Sequence, residues 1–400
     1  MGPIALAEAR ARVLAATRPL GAEEVALGDA LGRVLGEDVA SPHDLPPFDA
    51  SAMDGYAVVA GPPAELAVVG ESRAGRPAER RLLPGQAIAI STGAVVPDGA
   101  DAVVPVERVE ARDGRVEVPA TEPGANVRRA GEDVRRGEPV LAGGTDLGPA
   151  ELAVLASFGR ERVACGVRPR VAVVVTGDEL VAPGAALGPG QIRDSNATAL
   201  AAQAARAGAL VALAEHAADE RAATTAALDR GLRAADVLCV SGGVSVGEHD
   251  HVKAALADLG VEERFWGIAL KPGKPTWFGT AGERLVFGLP GNPVSAMVTF
   301  HLLARPALRA LAGADPSDAR ASAIADAPIA RSRGREQAVR CRLEARDDGW
   351  HVAPTKAQGS HVLTSMLGAG ALALVPPGDG ELRPGERVDV ELLAPGTVSA

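Results

Sequence analysis

Three loops in this 400-residue chain combine hydroxyls, bare backbone and turn formers directly after short apolar runs. Residues 171–175 lead into Thr176-Gly177-Asp178-Glu179, and residues 237–240 lead into Ser241-Gly242-Gly243-Val244-Ser245-Val246-Gly247-Glu248-His249-Asp250. Residues 285–289 lead into Pro290-Gly291-Asn292-Pro293-Val294-Ser295. A short continuous apolar run marks a strand buried on both faces. In an open parallel sheet, ligands gather beyond the carboxyl ends of such strands. Ser241, Gly242, Gly243 and Ser245 offer hydroxyls and unobstructed N–H groups ahead of a helix, which suits phosphate or another oxyanion. A Gly-rich loop alone can be a plain connection, but matching loops at neighbouring strand ends favour a ligand. Neither common nucleotide fingerprint is present. Gly273-Lys274 is followed by Pro275 rather than Ser or Thr, and no GxGxxG follows a strand.

The run Lys271-Pro272-Gly273-Lys274-Pro275 sets two cations in a turn stiffened by prolines. Rigid placement lowers the entropic cost of capturing an anion, although a basic turn can also simply be solvated. Four acids, Asp54, Asp133, Glu179 and Asp250, stand in turn-like or apolar settings. Carboxylates beside a phosphate site point to Mg²⁺, a hard ion that takes oxygen ligands. Any one of them taken singly also fits a cap or turn residue, and Asp178 is read that way. His249, His251 and His361 show no metal-ligand spacing. Cys165, Cys239 and Cys341 lie far apart, outside any CxxC, which argues against disulfides and against zinc. Cys239 reads as a small buried hydrophobe.

The elements that position these loops follow from the pattern. A helix is expected over residues 4–17, ended by Pro19 and Gly21, and another over 148–158 with Pro149 in its first turn. After the first, residues 41–165 are otherwise Val-rich and broken by Pro and Gly, and Asp113-Gly114 marks a hairpin turn. From residue 168 onward strands alternate with helices expected at 197–207, 220–234 and 251–259. A long helix is expected from Pro293. Such alternation means βαβ units and a mostly parallel sheet. Residues 315–327 read as a polar linker, and the alternating segments beyond them as a small all-β barrel or sandwich.

Composition narrows the function. A length of 400 residues is too great for one ordinary core. With 51 acids against 41 Lys and Arg, and no clustered basic patch, nucleic acid is not an expected partner. No signal peptide or membrane-spanning stretch is read, so no membrane is expected and the compartment expected is the cytoplasm.

In this order the loops resemble the molybdopterin molybdenumtransferase family, the molybdenum insertases of molybdenum-cofactor synthesis. The first half carries Pro46-Pro47-Phe48-Asp49-Ala50-Ser51-Ala52-Met53-Asp54-Gly55-Tyr56-Ala57, then Ser91-Thr92-Gly93-Ala94 and Asn126-Val127-Arg128-Arg129-Ala130-Gly131-Glu132-Asp133. The later part adds Ile192-Arg193-Asp194-Ser195-Asn196 and Gly359-Ser360-His361 to the loops above. The resemblance spans almost the whole chain. It implies an α/β multidomain protein with a segmental connecting domain (1–45 and 143–168) and a β-rich insertion (46–142). An α/β molybdopterin-binding domain (169–318) and a C-terminal β-barrel (322–400) complete it. It implies elongated homodimers, whose site lies between one subunit's second domain and the other's α/β domain, and contacts with other cofactor-synthesis proteins. The implied reaction takes adenylylated molybdopterin and molybdate with Mg²⁺, cleaves the phosphoanhydride, releases AMP and leaves molybdenum on the pterin dithiolene.

By the same resemblance the catalytic positions are Asp54, Thr92, Asp133, Glu179 and Asp250. Substrate-binding positions are Ser241, Gly242, Gly243, Ser245, Lys271, Lys274, Pro290, Pro293 and Ser295. Glu179, Asp219 and Asp250 are the implied magnesium ligands, and Arg340 is the candidate for a barrel arginine near molybdate. Two other readings compete. An enzyme that adenylylates molybdopterin would share the α/β domain but would not need residues 46–57, the β-rich insertion or the barrel. A non-catalytic pterin-binding scaffold would have no need of the acids and lysines together.

Overall fold

The computed structural model describes residues 2–243, 251–355 and 357–393. Ser245 and Asp250 lie outside the described residues. The chain divides into two compact units, one of Met1–Glu37, Gly143–Leu152 and Glu161–Ala400, the other of Asp38–Ala142 and Ala153–Arg160.

The first unit holds an α/β layer and a barrel. Its central sheet runs in the order Leu210–Ala217, Arg170–Thr176, Val237–Ser241, Arg284–Leu289, Trp277–Ala281, Glu262–Trp266. The first four strands are parallel, Trp277–Ala281 runs against them, and Glu262–Trp266 pairs antiparallel with Trp277–Ala281. Val171 to Val175 are fully buried, as expected for a strand covered on both faces. Helices Asn196–Arg206 and Arg221–Ala234 follow their strands, with starts within a residue of the sequence expectation. Cys239 is fully buried mid-strand, where burial pushes its thiol up to about 12.

Two expectations need correction. Residues 315–327 are not all linker, because Arg320–Ala325 is a strand of the barrel. Its Ala and Ser residues carry weak β-propensity, and pairing with Arg387–Leu392 and Gly349–Pro354 overrides it. The barrel closes through Glu336–Arg346, Gly349–Pro354, Arg320–Ala325, Arg387–Leu392 and Ala371–Val375, the last returning to pair with the first.

The helical run that starts at Pro293 is not one regular helix. It is α-helical over Pro293–Thr299, π-helical over Phe300–Ala304 and α-helical again over Arg305–Leu311. Pro306 has no N–H to give the carbonyl of Leu302, so a regular ladder cannot continue there. The Arg305 N–H reaches back five residues to the Phe300 carbonyl, and the Leu302 carbonyl accepts from Arg10 Nε at 3.0 Å.

The second unit is built on a six-stranded sheet in the order Ala102–Pro105, Gly55–Val58, Gln86–Ile90, Ala64–Ser72, Arg115–Val118, Glu110–Arg112. Its last two strands form the expected hairpin, with positive φ at Asp113 (49°) and Gly114 (77°). Among the described residues no helix is long and apolar enough to cross a membrane.

Candidate functional site

The parallel strands Arg170–Thr176, Val237–Ser241 and Arg284–Leu289 end side by side, since Val175 pairs with Ser241 and Ser241 with Leu289. Their loops are knitted together by side chains. Asn196 is 8% exposed and donates from Nδ2 to the Ser241 hydroxyl (2.9 Å) and to the Gly291 carbonyl (2.8 Å). Ser241 in turn donates to the Pro290 carbonyl at 3.1 Å. Ser241, read from sequence as a substrate ligand, therefore has its hydroxyl turned into the protein and 1% of its surface exposed.

Gly242 and Gly243 follow, half-buried, at φ +93° and +61°. A Cβ at Gly242 would lie 2.6 Å from the Thr176 carbonyl oxygen, so only bare backbone fits this turn. Beneath it the Thr176 hydroxyl is buried without a hydrogen-bond partner among the described residues, as is Asn196 Oδ1. Unsatisfied buried oxygens at the mouth of a loop are costly unless a ligand or water reaches them.

Lys271 closes a short strand paired with Glu336–Arg346, and Lys274 follows in the turn. The Thr276 hydroxyl donates to the Gly273 carbonyl (2.6 Å) and the Ile268 N–H to the Lys274 carbonyl (3.0 Å), so the turn is pinned at both ends. Gly273 sits at φ +120°, where a Cβ would lie 2.4 Å from Thr299 Cγ2. Both lysine side chains are exposed. The backbone is thus fixed while the ammonium groups stay available. Pro290 is buried, Pro293 half-buried at the first turn of its helix, and Ser295 buried with its carbonyl accepting from Thr299 at 2.8 Å. The barrel reaches this region through Ser360, whose hydroxyl accepts from Asn292 Nδ2 (3.1 Å) and whose carbonyl accepts from the Val294 N–H (3.2 Å).

The acids fall into two places. In the first unit Asp178 and Asp219 face each other. The Asp219 N–H donates to Asp178 Oδ1 (3.0 Å) and the Asp178 N–H to Asp219 Oδ2 (3.4 Å). Glu179 is exposed beside them, its carbonyl accepting from Ile192 N–H at 2.8 Å. Asp178, read as a turn residue, thus joins Asp219. In the second unit Asp54 Oδ1 accepts from the Thr92 N–H (2.7 Å) and hydroxyl (3.2 Å). Asp133 is exposed there, its N–H bonded to the Leu45 carbonyl at 3.0 Å. Among the described residues no three His, Cys, Asp or Glu side chains are arranged to hold a metal ion.

Arg340 is 1% exposed. Its guanidinium donates to the Ser365 hydroxyl (3.1 Å) and to the carbonyls of Ala357 (3.1 Å) and Gly359 (3.2 Å). These bonds use it to hold the loop that carries Ser360.

Comparison with known proteins matches three family models in order along the chain. These are the MoeA N-terminal region (domain I and II) at residues 4–159, a probable molybdopterin binding domain at 172–310 and the MoeA C-terminal region (domain IV) at 322–393. A molybdopterin molybdenumtransferase of Haemophilus influenzae is 37% identical over 383 residues, covering 93% of this chain and 94% of the relative. The chain belongs to the molybdopterin molybdenumtransferase family. Molybdopterin molybdenumtransferase 2 of Mycobacterium tuberculosis is 40% identical over 404 residues, covering 95% of this chain and 96% of that one. A solved molybdopterin biosynthesis MoeA protein from Pyrococcus horikoshii OT3 superposes with a TM-score of 0.83 at 30% identity, covering 98% of this chain and all of that one.

For this molybdenumtransferase family member, sequence reasoning passes over Thr176, Asp178 and Asn196 as individual site residues. The signal for Asn196 is a lone amide opening an Ala-rich helix, which costs burial unless something accepts from it. Nothing local to the sequence tells that Asp178 would meet an acid 41 positions away.

Proposed function

We propose that this chain transfers molybdenum to molybdopterin in molybdenum-cofactor biosynthesis, using adenylylated molybdopterin and molybdate and releasing AMP. The observation that carries the reading is the pinned Lys271–Lys274 turn in the same α/β unit as the bare Gly242–Gly243 turn and its unpartnered Thr176 hydroxyl. The two substrates are both anions, and bringing them together is repulsive. Lys271 and Lys274 offset that repulsion, and the backbone N–H groups at Gly242 and Gly243 hold phosphoryl oxygens without a side chain in the way. Asn196 positions these loops by tying Ser241 to Gly291. The Asp178, Glu179 and Asp219 carboxylates are oxygen donors, the kind Mg²⁺ takes, although the described residues do not by themselves complete a site. Of the three, Glu179 and Asp219 would hold the ion, with Asp250, and a bound Mg²⁺ would supply charge neutralisation at phosphate oxygens.

The second copy of the chain belongs to the same proposal. Phe48 and Met53, flanking Asp49 and Asp54, are 40% and 47% exposed, large apolar side chains that solvent does not favour. A homodimer covers them and delivers Asp54 and Thr92 to the partner's substrate. Asp54→Ala and Lys271→Ala are each expected to lose turnover as homodimers, whereas mixed dimers regain part of it. A fully active monomer overturns the dimer.

The reaction is tested by supplying adenylylated molybdopterin and molybdate and following AMP release with and without Mg²⁺. AMP release that requires molybdate supports the proposal. Adenylylation of molybdopterin from ATP, with no molybdate-dependent AMP release, overturns it.

A further inference from the structure

A cavity of about 670 Å³ lies at the opposite end of the α/β layer from these loops. Gln203 and Arg206 line it from the end of the helix that Asn196 begins, at α-helical rises of roughly 10 and 15 Å from that residue. His301 lines it from the π-helical turn, with Phe300, and Met366 and Leu343 close it from the barrel side. This is the end where the parallel strands begin, since Gly208 borders the cavity two residues before the strand Leu210–Ala217. The volume falls in the range of small-molecule sites.

The wall carries unused hydrogen-bonding capacity. His301 is 4% exposed, and its Nε2 has no partner among the described residues. Gln203 Nε2 donates to the Met297 carbonyl at 3.1 Å, which fixes the amide and leaves Oε1 buried without a partner among the described residues. Burial, and then the charges of Arg305, Arg10 and Arg206, bring the His301 imidazole down to about 3, so it is neutral. It can accept or donate one hydrogen bond, whereas Gln203 Oε1 can only accept. Three arginines (206, 305, 309) face two aspartates (146, 318) around the cavity, which leaves one positive charge in excess. Arg305 and Arg309 pair with Asp318, and Arg309 also with Asp146. Arg206 has no partner among the described residues and is exposed. π-Helical turns recur at functional sites because the extra residue re-aims a side chain. Here the turn forced by Pro306 carries His301.

We propose that this cavity is a second ligand site, for a small organic monoanion with an apolar ring and one N–H or O–H donor. The anion meets Arg206, the donor meets Gln203 Oε1, and the ring lies among Phe300, Met366 and Leu343. The site is separate from the molybdate and pterin loops and does not depend on the reaction proposed for them.

The probe is 8-anilinonaphthalene-1-sulfonate, which carries a sulfonate, an anilino N–H and fused rings in one molecule. Fluorescence titration of the folded full-length chain is expected to show one saturable site per chain. Arg206→Glu should weaken it about ten- to a hundredfold, the loss of one charge-assisted contact. Gln203→Leu, which keeps the volume and removes the acceptor, should weaken it severalfold, and Lys274→Ala should leave it unchanged. Absence of saturable binding overturns the proposal. So does equal binding by wild type, Arg206→Glu and Gln203→Leu, or binding lost in Lys274→Ala instead.

Discussion

Lys274 differs from the other cations of the chain in what holds it. Its backbone is pinned by Ile268, and among the described residues its ammonium has no acid partner. A cation kept unpaired on a rigid turn is poised for an anion from solution. Lys274→Ala is therefore expected to raise the molybdate concentration for half-maximal AMP release about ten- to a hundredfold, with pterin affinity nearly unchanged. Lys274→Arg should rescue only in part, because a planar fork does not replace a compact ammonium in a tight turn. Molybdate saturation at fixed adenylylated pterin checks both, and unchanged saturation would reduce the lysine to a turn residue. At this scale the sequence shows residue types well and their orientation poorly. Lys271 and Lys274 are legible because two prolines fix their turn, and Gly242–Gly243 because only glycine tolerates that backbone. The hydroxyl of Ser241 faces inward, which depends on Asn196 arriving from 45 positions away.

Elements carry the next set of consequences. The barrel's hairpin strands Glu336–Arg346 and Gly349–Pro354 place His351 between two acids, Nδ1 at 2.8 Å from Asp326 Oδ1 and Nε2 at 2.8 Å from Asp348 Oδ1. Both ring nitrogens thus have an acceptor, the arrangement that favours imidazolium. The hydrogen bonds to Asp326 and then Asp348 raise His351 above its usual value. Asp348 is lowered by its bond from His351, and Asp326 is lowered because the bonds from His351 and Arg346 outweigh its burial. Arg346 also bonds Asp326 and Glu344, and its Nη1 lies 3.0 Å from His351 Nδ1, where its charge works against the two hydrogen bonds without outweighing them. The sign follows from linkage. The histidine's contribution is full below the ordinary histidine value of about 6.5 and is lost as pH rises through the raised one. The contribution of the aspartates is full above their ordinary value of about 3.9 and is lost as pH falls through the lowered ones. Thermal unfolding followed against pH should show barrel stability falling as pH rises past the ordinary histidine value of about 6.5, and His351→Gln should flatten that fall. An identical pH profile in the variant would remove His351 from the account. Boundaries of such elements were legible where propensity and pairing agree, as at the Asp113-Gly114 hairpin. They were not legible where pairing alone decides, as for the strand Arg320–Ala325, or where a proline acts four residues upstream, as in the π turn.

Over the whole molecule, the ends of the chain meet in one buried contact that no local pattern announces. Arg10 of the first helix donates to Glu391 Oε1 of the last barrel strand at 2.5 Å, with side chains 10% and 4% exposed. Its Nε goes to the Leu302 carbonyl, whose regular α-helical donor Pro306 removes. Burial lowers the Arg10 guanidinium, and Glu391 raises it in part. One side chain therefore joins the first helix, the π turn and the barrel. The order of domains is readable from where strand alternation gives way to period-two patterning, but a contact across 381 positions is set by how the elements pack. Arg10→Met removes the charge while keeping much of the volume, and strands both Glu391 and the Leu302 carbonyl. Breaking a buried pair from one side costs about 3–5 kcal/mol. Arg320 Nε remains 3.4 Å from Glu391, so the low end, about 3 kcal/mol, is expected here. Replacing both partners, Arg10→Met with Glu391→Leu, should recover most of the carboxylate's share, because no uncompensated charge remains. Some deficit should persist from the orphaned Leu302 carbonyl. A double-mutant cycle in denaturant unfolding separates the two. A coupling near zero would mean that Arg10 contributes through Leu302 and packing alone, and that the first helix and the barrel are not electrostatically joined.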